Sequence, residues 1–263
     1  MNILLSFNYK CFKMQPDVLI DYIETINSEK YIKGFEVNAS TEEDKKYLKE
    51  LAKECKLRKY ILNIHLPILE NIEEYKKYLD YLKEVSNIYQ SKINMVFHPI
   101  YSENKIKSIL ITEKYISEIL KYIELNGYNF SLSIENLNEM NGMYRLKKED
   151  LKELLQKYQK LNFTYDIGHE YIDNQLEINT DKFYINKINN IHVHTFKEKD
   201  DHYPIEEISS KNILLNKVIE IKKKGYDGNI VLEYALDYIK GENFEEKINK
   251  YIENAKKIYY CIN

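Results

Sequence analysis

Short apolar runs alternate with longer amphipathic, Lys/Glu-rich stretches from one end of the chain to the other. The runs are NILLSF (2–7), GFEVNA (34–39), YILNIHLP (60–67), INMVFHP (93–99), FSLSIEN (130–136), LNFTYDIGH (161–169), NNIHVHTF (189–196) and GNIVLEYAL (228–236). Their length and content read as buried strands. Between them, 16–32, 42–57, 71–91, 105–126, 147–160, 176–187 and 211–224 carry helical periodicity, and a last helix is predicted over 242–259. Pro16 suits a first helical position and STEED (40–44) an N-cap with an acidic first turn, while Gly127 and Gly225 stand where helices should stop.

Eight strand–helix units in strict alternation imply a parallel sheet, and eight is the number that closes a (β/α)₈ barrel. The fold expected is therefore α/β, a single TIM barrel. No linker-like or low-complexity segment interrupts the alternation, so residues 1–263 read as one domain. An open doubly wound sheet would alternate too. However, no Gly-rich turn follows the first run, which argues against dinucleotide binding.

Within the runs, polar residues take every second position. Leu62 and Ile64 alternate with Asn63 and His65, Leu132 and Ile134 with Ser133 and Glu135, and Phe163 and Tyr165 with Thr164 and Asp166. Ile191 and Val193 alternate with His192 and His194, and Leu232 and Tyr234 flank Glu233. Because strand side chains alternate between faces, the apolar set can meet outer helices while the polar set points into the barrel. His65, His98, Glu135, Asp166, His194 and Glu233 fall at the C-terminal ends of six different strands, where barrel enzymes place their chemistry. Buried without partners they would be costly; converging on a divalent cation they would be satisfied.

Composition narrows the partners. The net charge is −3 and Arg58 and Arg145 are the only arginines, so no basic face announces nucleic acid. Lys10, Lys13, Arg145, Lys147, Lys197 and Lys199 are the candidate cations near the strand ends, and the loops STEED and EYID are acidic. Tyr9, Tyr101, Tyr144 and Tyr203 could stack on a base or a sugar alike. Cys11, Cys55 and Cys261 form no CxxC pair, which fits a reducing, cytoplasmic setting. The opening apolar run is too short for a signal peptide, and no run approaches membrane-spanning length.

In chain order, NIHLP, FHP, SIEN, YDIGH, HVHTF with DDHYP, and LEY resemble the xylose isomerase-like TIM barrels. That family holds sugar and sugar-phosphate isomerases and epimerases as well as the endonuclease IV type of apurinic endonuclease. The isomerase branch implies one metal held by Glu135, Asp166, His194 and Glu233, with Glu135 and Glu233 as the catalytic pair across a bound sugar. It also implies a substrate-hydroxyl contact from His169. Glu36 resembles a common polar position at the second strand, as a substrate contact or as an ion-pair partner inside the barrel. Asn136 reads as an amide that orients Glu135.

The endonuclease branch implies three zinc ions. His65, His98 and a shared Glu135 would hold one; Asp166, Glu233 and a seventh-strand histidine would join Glu135 at the second. His169, Asp200 and His202 would hold the third, with KEKDDHYP (197–204) closing over the site. His192 fits the endonuclease alignment for the seventh-strand ligand and His194 the isomerase alignment. The expectation is an enzyme with one to three divalent ions, Mn²⁺ or Zn²⁺, acting on a small sugar or sugar phosphate by proton transfer next to a carbonyl. Abasic-DNA hydrolysis is the second expectation, and a non-catalytic, metal-containing sugar-binding barrel the third.

Overall fold

A computed structural model describes residues 1–7, 14–27, 29–38, 42–138, 143–172, 181–197, 200–205 and 211–263, with only the backbone at Glu42, Glu43, Ile172, Asp200, Lys211 and Asn212. Eight parallel strands close into a barrel: β1 (Asn2–Phe7), β2 (Ile32–Asn38), β3 (Ile61–His65), β4 (Ile93–Phe97), β5 (Phe130–Glu135), β6 (Leu161–Asp166), β7 (Ile188–Val193) and β10 (Asn229–Leu232). Sequence neighbours pair around the ring, and β10 closes it between β7 and β1. The extra pair, β8 (Thr195–Lys197) and β9 (Asp200–Tyr203), is an antiparallel hairpin that follows β7. The helices α1 (Pro16–Ile26), α2 (Glu42–Arg58), α3 (Ile72–Tyr89), α4 (Lys105–Leu125), α5 (Lys148–Lys157), α6 (Ile167–Ile172), α7 (Lys182–Lys187), α8 (Lys211–Lys223) and α9 (Phe244–Ile262) complete the (β/α)₈ fold.

Strand alternation sorts the side chains as expected. Leu62, Ile64, Leu132, Ile134, Phe163, Tyr165, Ile191 and Val193 belong to the continuous apolar cluster shared with the helices. Leu4, Val96 and Val231 are equally buried but stand outside that cluster, and they share the barrel interior with a polar network. There, Asn94 Oδ1 accepts from Ser131 (3.2 Å), Ser133 (2.7 Å) and Asn189 (2.6 Å), and Asn63 donates to Asn190 across the barrel at 3.2 Å. Mutual hydrogen bonding makes this buried polarity tolerable.

Element ends follow local chemistry. Pro16 opens α1, and Asn71, Asn104 and Asn243 each accept a backbone N–H in the first turn of α3, α4 and α9. Gly127 and Gly225 adopt φ of 62° and 102° just past α4 and α8. Three expectations change. The first helix stops at Ile26 rather than at 32, because Asn27 Oδ1 captures the N–H groups of Tyr31 (3.0 Å) and Ile32 (3.2 Å) and turns the chain into β2. The run 161–169 is a strand only to Asp166, after which α6 begins. Of the helix expected over 176–187, α7 spans Lys182–Lys187; residues 173–180, like the expected cap at 40–41, lie outside the described residues.

Gly34 sits opposite Ile61 where β2 meets β3. A Cβ there would overlap the Ile61 carbonyl oxygen and stand 2.7 Å from Ile61 Cβ. Gly34→Ala must therefore spread the two strands, with an expected cost of about 2 kcal/mol. Urea unfolding should register that loss, and Tm should fall by roughly 5 °C.

Candidate metal centre

At the C-terminal mouth of the barrel, successive strands deliver one polar side chain each. His65 ends β3, His98 follows β4, Glu135 ends β5, Asp166 ends β6, His192 lies on β7 and Glu233 follows β10. Three groups have ligand atoms all within 4.8 Å of one another: His65, His98 and Glu135; Glu135, Asp166, His192 and Glu233; and His169, His194 and His202. Glu135 is common to the first two. Its Oε2 lies 3.3 Å from His65 Nε2 and 3.1 Å from His98 Nε2, while its Oε1 faces His192 Nδ1 at 3.3 Å.

His192 joins the carboxylates. Its Nδ1 stands 2.8 Å from Glu233 Oε2 and 3.8 Å from Asp166 Oδ2. His194, also directed inward, sits one layer nearer the mouth. Its Nε2 meets Asp166 Oδ2 at 3.1 Å, and its ring packs 5.0 Å from His169 and 4.5 Å from His202. The two histidines expected to compete for one place thus take two places.

Asp166 does two jobs that one sequence position can encode. Its Oδ1 accepts the backbone N–H of His169 at 2.7 Å, as an N-capping aspartate does, and α6 starts at the next residue, Ile167. Its Oδ2 remains for the site. Asn136 differs from expectation: its amide does not orient Glu135 but pairs reciprocally with the Asp166 backbone. Nδ2 donates to Asp166 O at 2.7 Å and Oδ1 accepts from Asp166 N at 2.8 Å, locking β5 to β6 where Glu135 and Asp166 emerge. The Asn136 carbonyl also meets His169 Nδ1 at 3.1 Å.

The hairpin brings in His202, in the left-handed region at φ 62°. Such a backbone costs of order 1 kcal/mol or more for a non-glycine residue and persists where surroundings hold it. Here the His202 N–H donates to His194 Nδ1 at 3.2 Å, and its Nδ1 pairs with Asp201 at 2.6 Å. The side chain of Asp200 lies outside the described residues. Asp201, overlooked in the sequence because the Asp-x-His spacing drew attention to its neighbour, also stands 3.9 Å from His169 Nε2. Glu36 is fully buried behind His192, with its Oε1 2.9 Å from Nε2.

Burial is the largest influence on Glu135, His65, His98 and Asp201 and opposes their charge, yet the neighbours prevail for Glu135, His65 and Asp201. Burial would raise Glu135, but His192, His98 and His65 hold it well below the usual carboxylate range. Burial would lower His65, but Glu135, with Glu233 and Glu36 beyond, pushes it up to about 9. His98 shows the opposite outcome, with burial carrying it down. Asp201 is held at about 2 against burial by His202, His194 and His169.

The donor set fits a divalent cation. Glu135 Oε1, Glu233 Oε2 and His192 Nδ1 are buried, converge on one point, and make no hydrogen bond. Carboxylate oxygens and an imidazole nitrogen so arranged are what a borderline cation takes.

The family model of the xylose isomerase-like TIM barrel matches residues 20–257. The chain belongs to that family. Solved structures with the same fold include a 3-keto-D-glucoside 4-epimerase, YcjR, from E. coli, with a TM-score of 0.69 at 14% identity over 99% of this chain and 100% of that one. A D-tagatose 3-epimerase-like protein gives 0.61 at 19%, over 97% and 98%. An IolI protein with a bound zinc atom gives 0.62 at 15%, over 97% and 96%. No curated protein sequence matches. In this xylose isomerase-like barrel, no helix among the described residues is long and apolar enough to cross a membrane.

Gly168 lets the His194 ring lie against the start of α6, since a Cβ there would stand 2.5–2.6 Å from three ring atoms. Gly168→Ala should therefore turn His194 away from Asp166 while leaving the barrel folded. A changed His194 ring resonance in histidine-labelled NMR spectra, with an unchanged far-UV spectrum, is the outcome expected.

Proposed function

We propose that this barrel is a divalent-metal-dependent isomerase or epimerase that moves a proton next to the carbonyl of a small sugar or sugar phosphate. The observation that carries the reading is the placement of Glu135 and Glu233 at the two ends of an arc of four neighbouring strands. Asp166 and His192 lie between them, and each glutamate has one buried oxygen without a hydrogen bond. Glu135, Asp166, His192 and Glu233 would hold the cation, which when bound supplies polarisation of a substrate carbonyl and its adjacent hydroxyl. One glutamate carboxylate would take the proton from the neighbouring carbon, and the opposed glutamate, once it has drawn a proton from solvent, would return one to the substrate. His169, buried beside both Glu135 and Asp166, would bind a substrate hydroxyl. Solved epimerase structures with the same barrel are consistent with this chemistry.

One observation favours a second reading. The two oxygens of Glu135 face two different ligand groups, and the three histidines His169, His194 and His202 make a third group beside them. Adjacent ions bridged by a carboxylate suit hydrolysis of a phosphodiester, abasic DNA included. Electrostatics weigh against DNA. A protein that neutralises six or more phosphates draws much of its affinity from Lys and Arg and loses roughly 10³-fold between low and moderate salt. Here Arg145 donates to the Leu137 carbonyl at 3.1 Å, and the chain as a whole is net negative. Glu170 of the acidic EYID segment is buried against the Tyr165 hydroxyl, so it adds no surface charge.

The deciding experiment incubates metal-loaded protein with a ketose and ketose-phosphate panel in D₂O, and separately with abasic duplex at low salt. Deuterium entering a sugar is expected, with the rate falling at least 10²-fold in Glu233→Gln, in keeping with the loss of a general acid–base group. Incision of the duplex without deuterium uptake would replace the first reading by the second. Turnover of neither substrate class, with sugar binding intact, would mark a binding protein. Glu135→Gln should lose metal from both groups that share it, by elemental analysis of the purified variant.

A further inference from the structure

One buried carboxylate at the barrel mouth belongs to none of the three ligand groups. Glu36 arrives from β2, across the barrel from β7, and is fully buried. Its Oε2 accepts from Asn190 Nδ2 at 3.4 Å, and Asn190 Oδ1 is in turn held by Asn63 (3.2 Å) and Asn229 (3.3 Å). The interior network therefore fixes the carboxylate. Its Oε1 stands 2.9 Å from His192 Nε2, and neither of these atoms has a hydrogen bond elsewhere.

A neutral imidazole carries one proton on one of two nitrogens, and the partner of one nitrogen decides the state of the other. A carboxylate offers only acceptor oxygens. With a cation held by Glu135 and Glu233, Nδ1 would give that ion its lone pair, and Nε2 would carry the one ring proton toward Glu36. Nδ1 is the atom turned toward Glu135, Asp166 and Glu233. The opposite tautomer would set a lone pair against the Glu36 carboxylate and aim an N–H into the ligand group.

We propose that Glu36 is a positioning residue. It holds His192 in the Nε2–H tautomer and thereby makes Nδ1 a ligand atom of the four-residue metal group. This rests on the reading that the group takes a divalent cation, and of the two roles expected for Glu36 it develops the ion-pair partner inside the barrel rather than the substrate contact. Beyond the tautomer, a carboxylate behind the ring raises the basicity of the ligating nitrogen.

The test measures Zn²⁺ affinity by competition with a chromophoric chelator in wild type, Glu36→Gln, Glu36→Asp and Ser133→Ala. Glu36→Gln keeps the shape, loses the charge, and can turn its amide N–H toward the ring; its Zn²⁺ affinity should fall about 10- to 100-fold. Glu36→Asp, which retains the charge on a shorter stem, should fall between it and wild type. Ser133→Ala removes a hydrogen bond from the same interior layer without touching His192, and its affinity should stay at the wild-type value. In ¹⁵N-histidine-labelled protein, His192 should show a protonated Nε2 in wild type and a weakened or lost Nε2–H signal in Glu36→Gln. Equal Zn²⁺ affinity in wild type and both Glu36 variants overturns the proposal, as does an equal loss in Ser133→Ala. Wild-type protein that takes up no divalent cation would instead overturn the metal reading beneath it.

Discussion

Burial of like charge at the barrel mouth is the constraint that the rest of this molecule answers. Glu36, Glu135 and Asp166 are fully buried and Glu233 is nearly so. Two unit charges 4 Å apart repel by about 4 kcal/mol even at an effective dielectric of 20. Several such pairs would exceed the whole stability of an ordinary domain. Positive charge at the centre is the remedy, and the imidazoles of His65, His192 and His202 are all drawn toward the protonated form by these carboxylates, against the opposing pull of burial. A divalent cation meets the same demand with more charge in less space, and it needs no side chain beyond those already converging.

Local backbone chemistry delivers the groups to that point. The barrel alone brings strand ends together; it does not aim them. Aim comes from short-range devices: Asp166 capping α6 with one oxygen, Asn136 clasping the Asp166 backbone, Gly168 clearing room for the His194 ring, and the His202 N–H holding His194 Nδ1. The hairpin itself is anchored from outside the site. Tyr203 stacks on Tyr238 with ring centroids 3.9 Å apart, and Ala235 N–H donates to the His202 carbonyl at 2.9 Å. Both anchors lie within five residues of Glu233, so the segment that carries one candidate ligand also braces the hairpin that carries another.

The barrel and the strand-end residues were legible because both rest on periodicity. Alternation of period two tells which residues point inward, and eight repeats tell what closes. What escaped depends on contacts between residues distant in sequence, or on a single side chain capturing the backbone. Asn27 ending α1 six residues early and Asp166 turning a strand into α6 are captures of the second kind, invisible to hydrophobic pattern. Glu36 is of the first kind: nothing near FEV in the sequence reveals that His192 lies across the barrel from it. Asp201 is hidden in the sequence because an extended DDHYP would put Asp200 and His202 on one face and Asp201 on the other. The left-handed backbone at His202 breaks that rule and turns Asp201 toward His202 and His169.

The same geometry explains why His192 and His194 did not have to be alternatives. Residues two apart on a strand share a face but stand roughly 6–7 Å apart along it. The deeper position meets the interior carboxylate Glu36 and the arc of Glu135, Asp166 and Glu233; the shallower one lies past the last strand residue, among His169 and His202. Asp166 touches both layers through one oxygen, 3.8 Å from His192 Nδ1 and 3.1 Å from His194 Nε2. A site built in two layers can keep a carboxylate-rich floor for holding charge and an imidazole-rich rim nearer the solvent. Carboxylates favour hard cations and imidazoles borderline ones, so the layers differ in chemistry as well as in depth. A substrate entering from the mouth would meet the rim before the floor, and the proposed proton transfer at Glu135 and Glu233 would take place beneath His169, His194 and His202.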